Sequence, residues 1–146
     1  MNKRKNTRYI VIHTAATKPS MTHVDAREID AWHRARGWSM IGYHFVIKRD
    51  GTLERGRAQD AVGAHVENHN YNTLGICLVG GLSDRAPFGP ENNYTPAQWE
   101  TLRKVVHALL RQYPGATVLG HRDFPRVAKA CPCFDVRSEF SNFLRN

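Results

Sequence analysis

Two stretches decide the fold of this chain: Arg8-Tyr9-Ile10-Val11-Ile12-His13 near its start and Ala116-Thr117-Val118-Leu119-Gly120-His121 near its end. Each is a short apolar run rich in Val, Ile or Leu, the composition of a strand buried within a sheet. Each ends on a histidine. If the two strands are neighbours running the same way, both imidazoles emerge at one sheet edge, where open α/β sheets place their ligands.

The segments between them fill out an α/β pattern. Asp25 caps a helix, with Glu28 at the capping-box position. Ile29, Trp32, His33 and Arg36 share one face of that helix, and Gly37 ends it. Residues 42–48 alternate as a strand, Asp50-Gly51 is a hairpin turn, and residues 52–56 return. Gly75 to Val79 is a further apolar strand, followed by a polar loop over 82–94. Thr95-Pro96-Ala97-Gln98 combines a cap, a proline at the first helical position and a glutamine at the third. From there Trp99, Leu102, Val105, Val106, Leu109 and Leu110 form an apolar stripe, and Pro114-Gly115 stops the helix. The order is strand, helix, strand pair, strand, helix, strand. It predicts a single α/β domain, a mixed central β-sheet flanked by helices, over residues 8–146. Residues 1–7 read as a flexible N-terminal tail.

A chain of 146 residues suits one core, and a monomer is expected. No apolar run approaches the roughly 20 residues that span a bilayer. The basic start, Met1 to Asn6, meets too short an apolar stretch for a signal peptide. Three cysteines, two of them separated by one residue, argue against a disulfide-stapled domain and for thiols free to bind metal in a reducing compartment. The net charge of +8 favours an anionic partner. Nucleic acid is not the expected one, because the basic residues are dispersed and no nucleic-acid-binding motif is present.

The chemistry concentrates between 120 and 135, where His121 is followed by Lys129-Ala130-Cys131-Pro132-Cys133. His13, His121 and Cys131 supply three ligands of the kinds zinc prefers, leaving a fourth position for water, which is the catalytic pattern. Lys129 adds a cation that can stabilise an oxyanion. Tyr43 can place a phenol in the same cleft. Cys133 competes for the same metal, although ligands two residues apart strain the geometry; a small packed residue is the other reading. Cys77, inside an apolar strand, reads as core.

At these residues the chain resembles a known family. Val11 to Ser20, the block from Gly37-Trp38 through Gly42-Tyr43-His44-Phe45 to Gly51, Ala61-Val62-Gly63-Ala64-His65, Gly75 to Gly81, His121 and Lys129-Ala130-Cys131-Pro132 together are similar to the zinc N-acetylmuramoyl-L-alanine amidases. This is the amidase and peptidoglycan-recognition-protein family, and the likeness is to its phage members. The resemblance implies one catalytic Zn²⁺ on His13, His121 and Cys131, with Tyr43 and Lys129 as catalytic residues. It implies cleavage of the amide between N-acetylmuramic acid and the L-alanine of the stem peptide, and so lysis of bacteria. His65 matches a histidine near the family's cleft and is expected to line the substrate groove. Some relatives carry a glutamate base on the strand matching Gly75–Val79; here Cys77 and Val79 stand there.

Bacterial peptidoglycan is therefore the expected partner, with anionic wall polymers or outer-membrane lipids attracted by the charge. The expected location is the bacterial host cytoplasm before lysis, with action on the wall. Two other readings share the fold: a non-catalytic peptidoglycan-binding module, and a regulator that binds a phage RNA polymerase. Cys131, Lys129 and Tyr43 favour the enzyme.

Overall fold

The computed structural model describes residues 2–141. Met1 and residues 142–146, the outer ends of the expected tail and domain, lie outside the described residues. The elements are β1 (Tyr9–Thr14), α1 (Ala26–Ala35), β2 (Phe45–Ile47), β3 (Leu53–Arg55), β4 (Thr73–Leu78), α2 (Pro96–Gln112), β5 (Thr117–Gly120) and a short α3 (Val136–Glu139). The five strands form one sheet in the order β3-β2-β4-β1-β5. Only the β2–β3 hairpin is antiparallel; β2–β4, β1–β4 and β1–β5 are parallel.

Strand alternation sorts the buried side chains between the two faces. Ile10 and Ile12 of β1, Leu74, Ile76 and Leu78 of β4, and Phe45 and Ile47 of β2 pack against Leu102, Val105, Val106 and Leu109 of α2. The opposite face carries Val46 and Cys77, covered by Val24, Ile29 of α1 and Ile41, with Trp32 packed at the margin. His13 falls in register with Cys77, which pairs in turn with Val46, so its ring projects from this second face.

The helix starts follow from their capping residues. Asp25 accepts a hydrogen bond from the Glu28 amide at 2.9 Å. At α2 the full capping box forms: Thr95 Oγ1 accepts from the Gln98 amide, and Gln98 Oε1 accepts from the Thr95 amide. Gln98 is fully buried, and its amide nitrogen also donates to the carbonyls of Ile47 and Val79. One side chain therefore caps the helix and ties it to the ends of β2 and β4.

Residues 2–4, read from the sequence as part of a flexible tail, make contacts with residues 60–62. The Val62 amide donates to the Asn2 carbonyl, the Arg4 amide donates to Asp60, and Lys3 bridges Ala61. The Arg4 guanidinium also donates to the Ala61 carbonyl at 2.6 Å. The strand expected over 42–48 is shorter, because the backbone of Gly42 and Tyr43 bonds elsewhere: Gly42 O accepts from Ala64 and Tyr43 O from Arg57.

Candidate active site

The parallel pairing of β1 with β5 ends at Ile12 and Gly120. The next residue of each chain segment is a histidine. As two neighbouring parallel strands require, the two histidines meet, their rings 4.6 Å apart, centroid to centroid. His121 opens a short 3-10 turn whose end is fastened by Asp123, which accepts from the Gly120 amide at 2.8 Å.

Cys131 reaches the same point from the loop that follows. The Arg122 amide donates to the Cys131 carbonyl, folding the loop back on the turn. Beyond the last β1–β5 pair, the Thr14 amide has no strand partner on that side and donates to Cys131 Sγ at 3.1 Å. Sγ lies 3.9 Å from His13 Nδ1. One ligand atom from each of His13, His121 and Cys131 lies within 4.8 Å of the others.

This group can hold a metal. A nitrogen and a sulfur bound to one tetrahedral zinc stand about 3.6 Å apart, close to the spacing between His13 Nδ1 and Cys131 Sγ. Two imidazoles and a thiol are a donor set suited to zinc. Burial pushes the metal-free Cys131 thiol up to about 12, while the Thr14 amide and Lys129 act in the opposite direction. A cation bound here displaces that proton. His13 is 1% exposed, and burial with the neighbouring His65, His121 and His44 holds it well below the ordinary imidazole range. It is therefore neutral, as a metal ligand must be.

Tyr43 is placed by a set of bonds around Gly42 and Tyr43. His33 Nδ1 on α1 accepts from the Gly42 amide at 2.9 Å, and Arg57 bridges the carbonyls of Ile41 and Val62. The Tyr43 ring lies 5.0 Å from that of His13. Burial, and next the Cys77 and Cys131 sulfurs, push its phenol well above the ordinary value. The hydroxyl keeps its proton and can donate a hydrogen bond. Lys129 is exposed on the same loop as Cys131, and its charge acts on both His121 and Cys131.

The two remaining thiols lie outside the ligand group. Cys133 has a left-handed backbone, φ +79°, and turns its sulfur toward the Gly81 carbonyl at 3.5 Å. Cys77 is fully buried in the sheet.

His65, expected to line the groove, is 9% exposed and packs behind His13, with His13 Nε2 and His65 Nδ1 2.8 Å apart. The Asn70 side chain fixes this segment by accepting from the amides of both His65 and Val66. The contact joins residues 52 positions apart, and the nearest sequence signal for it is the pair of glycines, Gly63 and Gly75, that flank the ring.

Behind His65 lies His44, their rings 5.7 Å apart and nearly perpendicular. His44 Nδ1 accepts from the Gly75 amide and Nε2 donates to the Ala61 carbonyl, so its ring is neutral. Burial holds it down to about 4, against an ordinary value of 6.5. The unfolded chain takes up this proton first, so the contribution is fully present above pH 6.5 and is lost as pH falls toward 4. The loss is about 3 kcal/mol between pH 7 and pH 4. Urea midpoints of the metal-free protein should fall over that window. A His44→Asn variant should show a shallower fall; an unchanged slope would refute the assignment.

The fold and this centre define a class: a mixed α/β domain with two histidines and one cysteine, a group that could hold a metal, at the ends of parallel strands. The chain belongs to the N-acetylmuramoyl-L-alanine amidase family, whose model matches residues 3–134. It is 47% identical over 135 residues to the endolysin of Escherichia phage T7, covering 92% of this chain and 86% of that protein. It is 48% identical over 135 residues to the endolysin of Klebsiella phage KP32, with the same coverage. Among solved structures, the N-acetylmuramoyl-L-alanine amidase LysC from Clostridium intestinale superposes with a TM-score of 0.78 at 30% identity, covering 94% of this chain and 85% of that one. Drosophila PGRP-LB shares the fold, with a TM-score of 0.75 at 23% identity, covering 98% of this chain and 84% of that one. No described helix is long and apolar enough to cross a membrane.

Proposed function

We propose that this chain is a zinc-dependent peptidoglycan hydrolase. It cuts the amide between the lactyl group of N-acetylmuramic acid and the L-alanine of the stem peptide, and so lyses bacterial walls as endolysins do. The observation that carries this reading is the convergence of His13, His121 and Cys131 with the Tyr43 phenol beside them and Lys129 at the rim. A binding module needs none of the last three side chains.

His13, His121 and Cys131 would hold the ion. A zinc ion held there would polarise a carbonyl and lower the pKa of a bound water to about 7. The Thr14 amide donates to the Cys131 sulfur and so favours its thiolate form when a cation displaces the proton. The protonated Tyr43 hydroxyl donates to the substrate, orienting the scissile amide or the oxygen on which charge develops. Lys129 brings a cation to that same oxygen, where it acts most strongly in the transition state. His33 and Arg57 hold Tyr43 in place.

The deciding experiment is digestion of purified peptidoglycan with and without a chelator. New N-terminal alanine is expected, lost on chelation and restored by zinc. New reducing sugar ends would instead identify a glycosidase, and digestion indifferent to chelation would remove the metal from the reading.

A further inference from the structure

We propose that Thr73 and His65 are positioning residues that set the tautomer of His13, so that its Nδ1 presents a lone pair to the metal. The inference rests on the metal reading of His13, and its juxtaposition is a chain of four groups: the His69 carbonyl, the Thr73 hydroxyl, His65 and His13.

The direction of each hydrogen bond follows from what its end can do. A carbonyl only accepts. Thr73 Oγ1 lies 2.9 Å from the His69 carbonyl, so the single hydroxyl proton points there. Thr73 Oγ1 then offers only lone pairs to His65 Nε2 at 3.2 Å, and Nε2 must carry the proton. A neutral imidazole with its proton on Nε2 has a lone pair on Nδ1. His65 Nδ1 faces His13 Nε2 at 2.8 Å, so the His13 proton is on Nε2. Its Nδ1, on the side of Cys131 Sγ, is left unprotonated. A backbone carbonyl at one end thus dictates which nitrogen is available at the other.

The backbone around His65 reserves this position for it. A Cβ on Gly75 would stand 2.7 Å from His65 Nδ1, and one on Gly63 would stand 2.7 Å from its Cδ2. Both glycines leave a slot one imidazole wide, closed behind by the His44 ring. Gly75 lies on the same sheet face as Thr73 and Cys77, so the slot opens between the Thr73 hydroxyl and the metal group. Moving the ring sideways would lengthen its contacts with Thr73 and with His13 Nε2. Partners behind a metal-bound histidine typically change metal affinity about 10- to 100-fold when removed.

The test has a readout on metal-free protein and one on zinc affinity. Long-range ¹H–¹⁵N correlation of the wild-type imidazoles without metal should show both His13 and His65 protonated on Nε2; a His13 ring protonated on Nδ1 would overturn the proposal with no variant needed. Thr73→Val, which keeps the shape and removes the hydroxyl, should mix the His65 and His13 tautomers and weaken zinc binding about 10- to 100-fold by chelator competition. Thr73→Ser should restore both. Unchanged affinity and tautomers in Thr73→Val, or no rescue by Thr73→Ser, would also overturn it. A wild-type protein that binds no zinc would defeat the metal reading instead, while the tautomer result would still stand or fall by itself.

Discussion

Cys131→Ser should leave a folded protein with about 1% or less of wild-type peptidoglycan hydrolysis and no tight zinc binding. Removing a group that merely supports a metal ligand typically costs 10- to 100-fold, so losing one of three ligands should cost more. The hydroxyl of serine is a far poorer zinc donor than a thiolate. The Thr14 amide, which donates to the sulfur at 3.1 Å, would lose an anionic acceptor as well. Cys133→Ser is the internal control. Its sulfur faces the Gly81 carbonyl and lies outside the ligand group, so zinc binding and activity should persist. Zinc content by mass spectrometry under native conditions, with amine release from purified wall, separates the two. If Cys133→Ser lost the metal and Cys131→Ser kept it, the ligand assignment would be reversed.

The sequence already distinguished the roles of these two thiols only in part, and the reason is physical. Histidines at the ends of buried apolar runs, a cap followed by proline and glutamine, and an Asp-Gly hairpin are local patterns, and the structure has each of them, although β1 runs one residue past His13 and β5 stops one residue short of His121. The pairing of β1 with β5 joins segments more than a hundred residues apart, yet it was legible because both strands are buried apolar runs that must find parallel neighbours. Contacts made by single backbone groups were not. The pinning of residues 2–4 on residues 60–62 uses amides and carbonyls that every residue possesses, so nothing in Asn2 or Lys3 signals it. The loop geometry that turns Cys133 toward Gly81 is likewise a matter of backbone torsion.

His65 shows the same limit from another side. Its motif placed it near the cleft, but whether an imidazole faces substrate or stands behind a ligand depends on burial. The signal that could have separated the two is glycine. Gly63 and Gly75 flank the ring, and each lacks the Cβ that would occupy its place. A strand glycine often marks a close approach of another group, and Gly75, in an otherwise apolar strand, is such a position. His44, which donates to the Ala61 carbonyl and accepts from the Gly75 amide, extends this buried, neutral layer of histidines beneath the site.

Lys129→Met should lower kcat about 100- to 1000-fold while leaving zinc affinity within a few-fold of wild type. Methionine keeps most of the aliphatic stem and removes the charge. Among the described residues Lys129 makes no salt bridge, so its ammonium is not committed to a carboxylate. It is exposed on the loop that delivers Cys131, and its field already bears on His121 and Cys131. A cation so placed repels a bound metal ion slightly and favours a thiolate slightly, and these opposed effects keep its influence on zinc binding small. The negative charge that develops on a carbonyl oxygen during attack has no such compensation, so the loss falls on kcat rather than on KM. Lys129→Arg should recover part of the activity, because a guanidinium restores the charge with a different reach and geometry. Steady-state rates on soluble muropeptide, measured with zinc content held equal, would show this. Lys129→Met retaining more than about half of wild-type kcat would exclude an oxyanion role and leave Lys129 as a solvated surface charge.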